Sequence, residues 1–173
     1  FGNILGLKVI TCEAEPRVLE LTGPDILKVA HAYGTNGIIV EAEMPLTAHY
    51  DWVDVLVGFD DALEACAFAE QVARQDGLLC KEISPVAAPV PYDYFNRHRP
   101  FLRSREQSVV LIMAAPASMP ALADLVAFHE GDMLYRGDTA DPEVKAKLPP
   151  VYELAWNHTT LRGLKIDPTI TYL

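Results

Sequence analysis

The order of elements between residues 50 and 136 constrains this chain more than any other feature: strand, helix, strand, insertion, strand, helix, strand. Residues 50–59 (YDWVDVLVGF) set Asp51, Val53, Val55 and Val57 against Trp52, Asp54, Leu56 and Gly58, the two-residue period of a strand. Asp60-Asp61 supplies negative charge and a cap for a helix reaching about Gln75. Along it Ala62, Leu63, Cys66, Ala67, Ala69, Val72 and Ala73 recur at three- and four-residue spacing, and Gly77 stops it. Residues 78–83 read as a strand, 85–91 as a proline-rich loop and 92–102 as a short aromatic helix. A strongly apolar strand over 108–115, a helix over 119–129 stopped by Gly131, and a strand over 132–136 complete the series.

Two β-α-β units in this order predict an α+β fold, a ferredoxin-like antiparallel α/β sandwich with one helical insertion. An antiparallel sheet of about four strands, with the helices of 62–75 and 119–129 on one face, buries the pattern. Residues 138–150 read as a loop, and 151–164 as a last element, strand or helix. Ahead of this region, residues 5–12 and 17–21 read as strands around the turn Glu13-Ala14-Glu15-Pro16, a hairpin. A short helix from about Pro24 to Tyr33 follows, then Gly34-Thr35-Asn36-Gly37 and an apolar strand over 38–44 ended by Pro45. The change of composition after that proline divides the chain into residues 1–47 and 48–173.

Charge and motif content remove several function classes. With 24 acidic against 14 basic residues the net charge is −10, so no basic face is offered to nucleic acid. The longest apolar run, 109–117, falls short of the roughly 18 residues of a membrane span. Three scattered cysteines, Cys12, Cys66 and Cys80, suggest reduced, buried thiols and a cytoplasmic setting. There is no Gly-x-Ser-x-Gly elbow, phosphate-binding Gly-Lys-Ser/Thr loop, His-Glu-x-x-His helix or zinc-spaced cluster, so no metal site is expected. The chain opens on Phe1 and closes on β-branched sequence, from which a piece of a longer protein is expected.

Chemistry-bearing residues are few. Gly34 and Gly37 flank Thr35-Asn36 between a helix and an apolar strand, where a glycine backbone can approach a cofactor or simply make a tight turn. Asn157 and His158 stand beside Trp156, and a histidine there can act as a base or bond to local backbone. Arg97, Arg99, Arg103 and Arg105 crowd the insertion, either as a carboxylate clamp or as a solvated basic face, with Tyr92, Tyr94 and Phe95 packing beside them.

Residues 3–46 resemble the last part of the FAD-binding domain of FAD-linked oxidases of the vanillyl-alcohol-oxidase and p-cresol-methylhydroxylase (PCMH) type. The likeness rests on Leu5-Gly6, the hairpin, residues 26–33 and Gly34-Thr35-Asn36-Gly37-Ile38-Ile39, in that order. It covers about a quarter of the chain. It implies that residues 1–47 end a PCMH-type FAD-binding domain and that 48–173 form a substrate (cap) domain. It also implies that Gly34, Thr35, Gly37, Ile38 and Ile39 line FAD, with a small substrate such as a 2-hydroxy acid giving hydride to the flavin. His158 is then the candidate catalytic base, and Asn157, Arg97 and Arg99 the candidate substrate-binding residues. His31-Ala32-Tyr33 replaces the Gly-Ser-Glu of many members, and the cap-domain metal histidines have no counterpart. The pyrophosphate-binding part would precede Phe1, so the chain as given is expected to bind FAD weakly or not at all. The partners expected are a small-molecule substrate and further copies in a homo-oligomer, without nucleic acid or a membrane span. The competing reading is a non-catalytic ferredoxin-like module for ligand binding or dimerisation.

Overall fold

The computed structural model describes residues 3–155 together with Asp167 and Thr169. The chain divides into two compact units, Phe1–His49 and Tyr50–Leu173.

In the first unit, β1 (Gly6–Ile10) and β2 (Val18–Thr22) pair antiparallel, from Gly6 opposite Thr22 to Ile10 opposite Val18. The expected hairpin therefore forms. Its loop is closed by the Thr11 N–H donating to the Arg17 carbonyl and the Arg17 N–H to the Thr11 hydroxyl, both at 2.9 Å. β3 (Ile38–Glu43) pairs antiparallel with the other edge of β1, giving the order β2-β1-β3. The helix expected over 24–33 is shorter, a 3-10 segment Gly23–Lys28 with Pro24 in its first turn. His31 and Tyr33 then take left-handed backbone angles (φ 63° and 53°), which no right-handed helix can continue through. Leu7, Val9, Ile26 and Val29 form a small core with Leu21 against it.

The second unit is a four-stranded antiparallel sheet in the order β5-β6-β4-β7. Its strands are β4 (Val53–Phe59), β5 (Cys80–Val86), β6 (Ser108–Ala114) and β7 (Asp132–Arg136). α1 (Ala62–Ala73) joins β4 to β5, and α3 (Met119–Phe128) joins β6 to β7, so each β-α-β unit straddles a strand of the other. Asp61 caps α1, its carboxylate accepting from the N–H groups of Leu63 at 2.6 Å and Glu64 at 3.2 Å. Both helices lie on one face, as the element order predicts. There Val55, Val57, Val110 and Ile112 pack against Phe68 and Val72 of α1 and Leu122 and Val126 of α3. The buried stripe of α1 is Ala65, Phe68, Ala69 and Val72, one step round from the stripe expected from Leu63 and Cys66, which are exposed. The bulky Phe68 sets the rotation, because burying its ring outweighs burying a cysteine and a leucine at the margin. Cys12 is exposed as well and Cys80 half-buried, so the three thiols are not the buried set expected.

The opposite face is covered too. Leu56, Leu111, Met113 and Tyr135 pack there beneath Phe95 and Leu102 of the insertion and Val151 and Leu154 near the end of the described chain. The insertion is not one helix. It is α2 (Val90–Tyr94), then a turn and a 3-10 segment Arg99–Phe101. The proline-rich stretch begins inside β5, which tolerates Pro85 because it is an edge strand. Among the described residues two short helices follow β7, α4 (Pro142–Lys145) and α5 (Tyr152–Ala155). The last predicted element is thus helical as far as Ala155, and the remainder of 151–164 lies outside the described residues. No helix among the described residues is long and apolar enough to cross a membrane.

Candidate functional site

In the first unit the Gly-Thr-Asn-Gly segment is stitched to its own backbone. The Thr35 hydroxyl donates to the Ala32 carbonyl at 2.7 Å and the Asn36 amide to the Lys28 carbonyl at 2.6 Å. The two glycines have different reasons to be glycine. Gly34 has φ +78°, and a Cβ there would meet nothing within 4 Å, so its requirement is conformational and its surface open. Gly37 has φ +143°, and a Cβ would lie 2.6 Å from Val9 Cγ1 and 3.0 Å from the Ile10 carbonyl oxygen. Its bareness serves the close approach to β1. Beyond it Ile38, Ile39 and Val40 stand 60%, 46% and 51% exposed, three β-branched side chains in a row on the edge strand β3.

In the second unit two carboxylates share the sheet face that lacks α1 and α3. Asp54 on β4 and Glu82 on β5 both sit opposite Met113 of β6, one on either side. Asp54 accepts from the Val151 N–H at 3.3 Å and Glu82 from the Ser84 hydroxyl at 3.1 Å. Burial pushes both carboxyls above their ordinary range, and the Asp54 charge raises Glu82 further. A recess of about 380 Å³ opens there, lined by Lys81, Glu82, Ser84, Tyr152 and Ala155.

Across α5 lies a second cavity of about 410 Å³, among Asn96, Arg97, His98, Pro149, Glu153 and Leu154. His98 is 1% exposed, and its ring packs edge-on to Tyr135 and tilted against Phe101. Among the described residues neither ring nitrogen has a hydrogen-bond partner. Burial alone pulls the imidazole down to about 4, so it is neutral near pH 7. Leaving a buried polar group unpaired costs roughly 1–3 kcal/mol.

The four insertion arginines are dispersed. Arg99 holds the insertion together, donating to the carbonyls of Tyr92 at 2.6 Å and Asp93 at 3.1 Å and to the Asn96 side chain at 2.9 Å, over the Tyr92 ring. Arg105 forks onto Asp93 at 2.8 and 3.0 Å, and Arg103 reaches Asp60 at 3.0 Å. Arg97 donates one nitrogen to the Lys147 carbonyl at 2.7 Å and lines the His98 cavity. Of the candidate substrate-binding residues, Arg97 is therefore at a cavity and Arg99 is a brace. Asn157 and His158 lie outside the described residues.

Sequence reasoning passed over His98, Asp54 and Glu82. The signal for His98 was its place three residues after Phe95 and three before Phe101, on the buried side of the insertion. Asp54 and Glu82 become neighbours only through the sheet order, which no local pattern reports. No family model matches this chain, and no curated protein matches it.

Proposed function

We propose that this chain is the C-terminal part of an FAD-dependent oxidoreductase acting on a small substrate, a 2-hydroxy acid. Residues 1–47 would end a PCMH-type FAD-binding domain, and 48–173 would be a ferredoxin-like substrate (cap) domain. The observation that carries the reading is the surface of residues 34–40. The open backbone at Gly34 and the exposed Ile38 and Ile39 suit contact with a flat, largely apolar ring. Gly37 fits less directly, since its missing side chain faces β1. FAD, when bound, supplies the hydride acceptor. In this reading Thr35 and the neighbouring backbone position the ring, Arg97 takes the substrate carboxylate, Arg99 holds Arg97's loop, Asn157 orients the substrate, and His158 receives the hydroxyl proton.

The test uses the intact polypeptide that contains this chain. Flavin should co-purify or bind on addition, and anaerobic 2-hydroxy acid should bleach its visible absorbance. A folded polypeptide that neither carries nor takes up flavin overturns the reading. The non-catalytic alternative draws support from a groove of about 520 Å³ bordered by Leu78, Ala121, Leu125 and the 76% exposed Phe128. Light scattering of wild type against Phe128→Ser tests it, and a dimer that Phe128→Ser splits would favour a self-association module.

A further inference from the structure

Four polar side chains are buried among the described residues: His98, Gln107, Ser108 and Ser118. Three of them are answered within the fold. Gln107 accepts from the Arg103 N–H and donates to Asp132, Ser108 accepts from the Ala88 N–H, and Ser118 accepts from the Leu79 N–H. Among the described residues His98 alone has two buried nitrogens with no partner, and the cavity it borders has Arg97, Asn96 and Glu153 as its other described polar groups. We propose that this cavity binds a small carboxylate whose neighbouring carbon carries a hydrogen-bonding substituent, with Arg97 taking the carboxylate and His98 bonding the substituent.

The charges in the lining select the class. Among the described residues the lining carries one guanidinium and one carboxylate, a net charge of zero, so a single ligand carboxylate can pair with Arg97 while a second negative charge, as on phosphate or a dicarboxylate, would meet Glu153 with no cation left to pair it. A neutral imidazole offers one donor and one acceptor, the complement of a hydroxyl or amine and a poor match for a second anion. Glu153 leaves two members of the class open: a 2-hydroxy acid, or an amino acid whose ammonium pairs with that carboxylate. At about 410 Å³ the cavity lies at the small end of ligand sites. Solvent does not reach the ring nitrogens. Binding must therefore shift the imidazole or what covers it, which makes the ring itself the reporter. The carboxylate role of Arg97 rests on the proposed function, which this site deepens, but all of these residues belong to the second unit, so binding can be tested without flavin.

The experiment is ¹⁵N NMR of the His98 imidazole in the full chain, titrated with lactate, alanine, propionate and inorganic phosphate. Lactate or alanine should move both ring nitrogens saturably, and propionate and phosphate should be at least tenfold weaker. Arg97→Met, at an exposed position, should weaken the response at least tenfold with the circular dichroism unchanged. Glu153→Gln assigns the source, because it weakens alanine and spares lactate if the natural ligand is an amino acid, and spares both if it is a hydroxy acid. A His98 ring that none of the four probes moves overturns the proposal, and so does a response that Arg97→Met leaves intact. If the intact polypeptide neither carries nor takes up flavin yet still binds lactate or alanine at His98, the flavin reading fails and this one survives.

Discussion

Replacing His98 by phenylalanine should flatten the acid limb of the protein's stability profile. The imidazole titrates at about 4 in the folded chain against an ordinary 6.5, because burial disfavours its charged form. Below pH 6.5 the unfolded chain takes up a proton that the folded chain refuses, so stability is full above 6.5 and is lost as the pH falls toward 4. At about 1.4 kcal/mol per pH unit, that gap is worth about 3 kcal/mol. Asp54 and Glu82 run the other way, since burial raises their carboxyls and the folded form gains from their protonation. The wild-type curve is therefore a sum, and the informative quantity is the difference between wild type and His98→Phe. Phenylalanine removes both unpaired nitrogens and keeps a ring against Phe101 and Tyr135, so near neutrality the variant should match or exceed wild type. Urea unfolding at a series of pH values between about 7 and 4 measures the difference, which should open to about 3 kcal/mol at the acid end. Two parallel profiles would show that His98 does not titrate as a buried, unpaired imidazole.

Three further outcomes follow from single residues. Gly37→Ala should destabilise the first unit by at least about 2 kcal/mol, the sum of a forced left-handed angle and overlap with Val9, whereas Gly34→Ala should cost only about 1 kcal/mol; equal melting points for the two would contradict the difference in their surroundings. Asp61→Ala should remove the cap of α1 and cost about 1 kcal/mol in chemical denaturation, with Asp61→Asn close to wild type. Asp54→Asn keeps an acceptor for the Val151 N–H and deletes a carboxylate whose ionised form burial penalises, so it should raise stability near pH 7 and lose that advantage in acid; a loss of stability at neutral pH would mean that the charge is favourably held.

The second unit was legible because its strands and helices carry their own periods. Residues 108–115 are so apolar that only a central strand or a buried helix could hold them, and a run of eight residues ended by Pro116 favours the strand. The insertion was legible as a place and not as a shape. Prolines at 85, 89, 91 and 100 interrupt any helix longer than a turn or two, and the segment is fixed by Arg99 reaching back to three partners, a tertiary device with no local signature. The rotation of α1 was misjudged for a related reason. Alanine and cysteine satisfy a helical period on either side of the true stripe, and only Phe68 breaks the tie once a sheet is there to receive it.

The candidate site was harder to see because its residues are ordinary in sequence and become unusual through burial. His98 sits in the run Arg97-His98-Arg99-Pro100, which looks like exposed, solvated sequence; it is buried because Phe95, Phe101 and Leu102 on the same segment drive that side of the insertion onto the sheet. The glycines posed the opposite problem, conspicuous in sequence and ambiguous in cause. A glycine pair beside an apolar strand reads equally as a surface for a cofactor and as a close crossing of the chain over itself. The geometry separates the two within one segment, since Gly37 is accounted for by Val9 and Ile10 while Gly34 is accounted for by its φ of +78° and leaves its outer side open. In the proposed reading, the positions of this segment left open for a cofactor are Gly34, Ile38 and Ile39. A test of cofactor contact belongs at those three positions, because a variant at Gly37 would disturb β1 and lose flavin for a reason that says nothing about where the flavin sits.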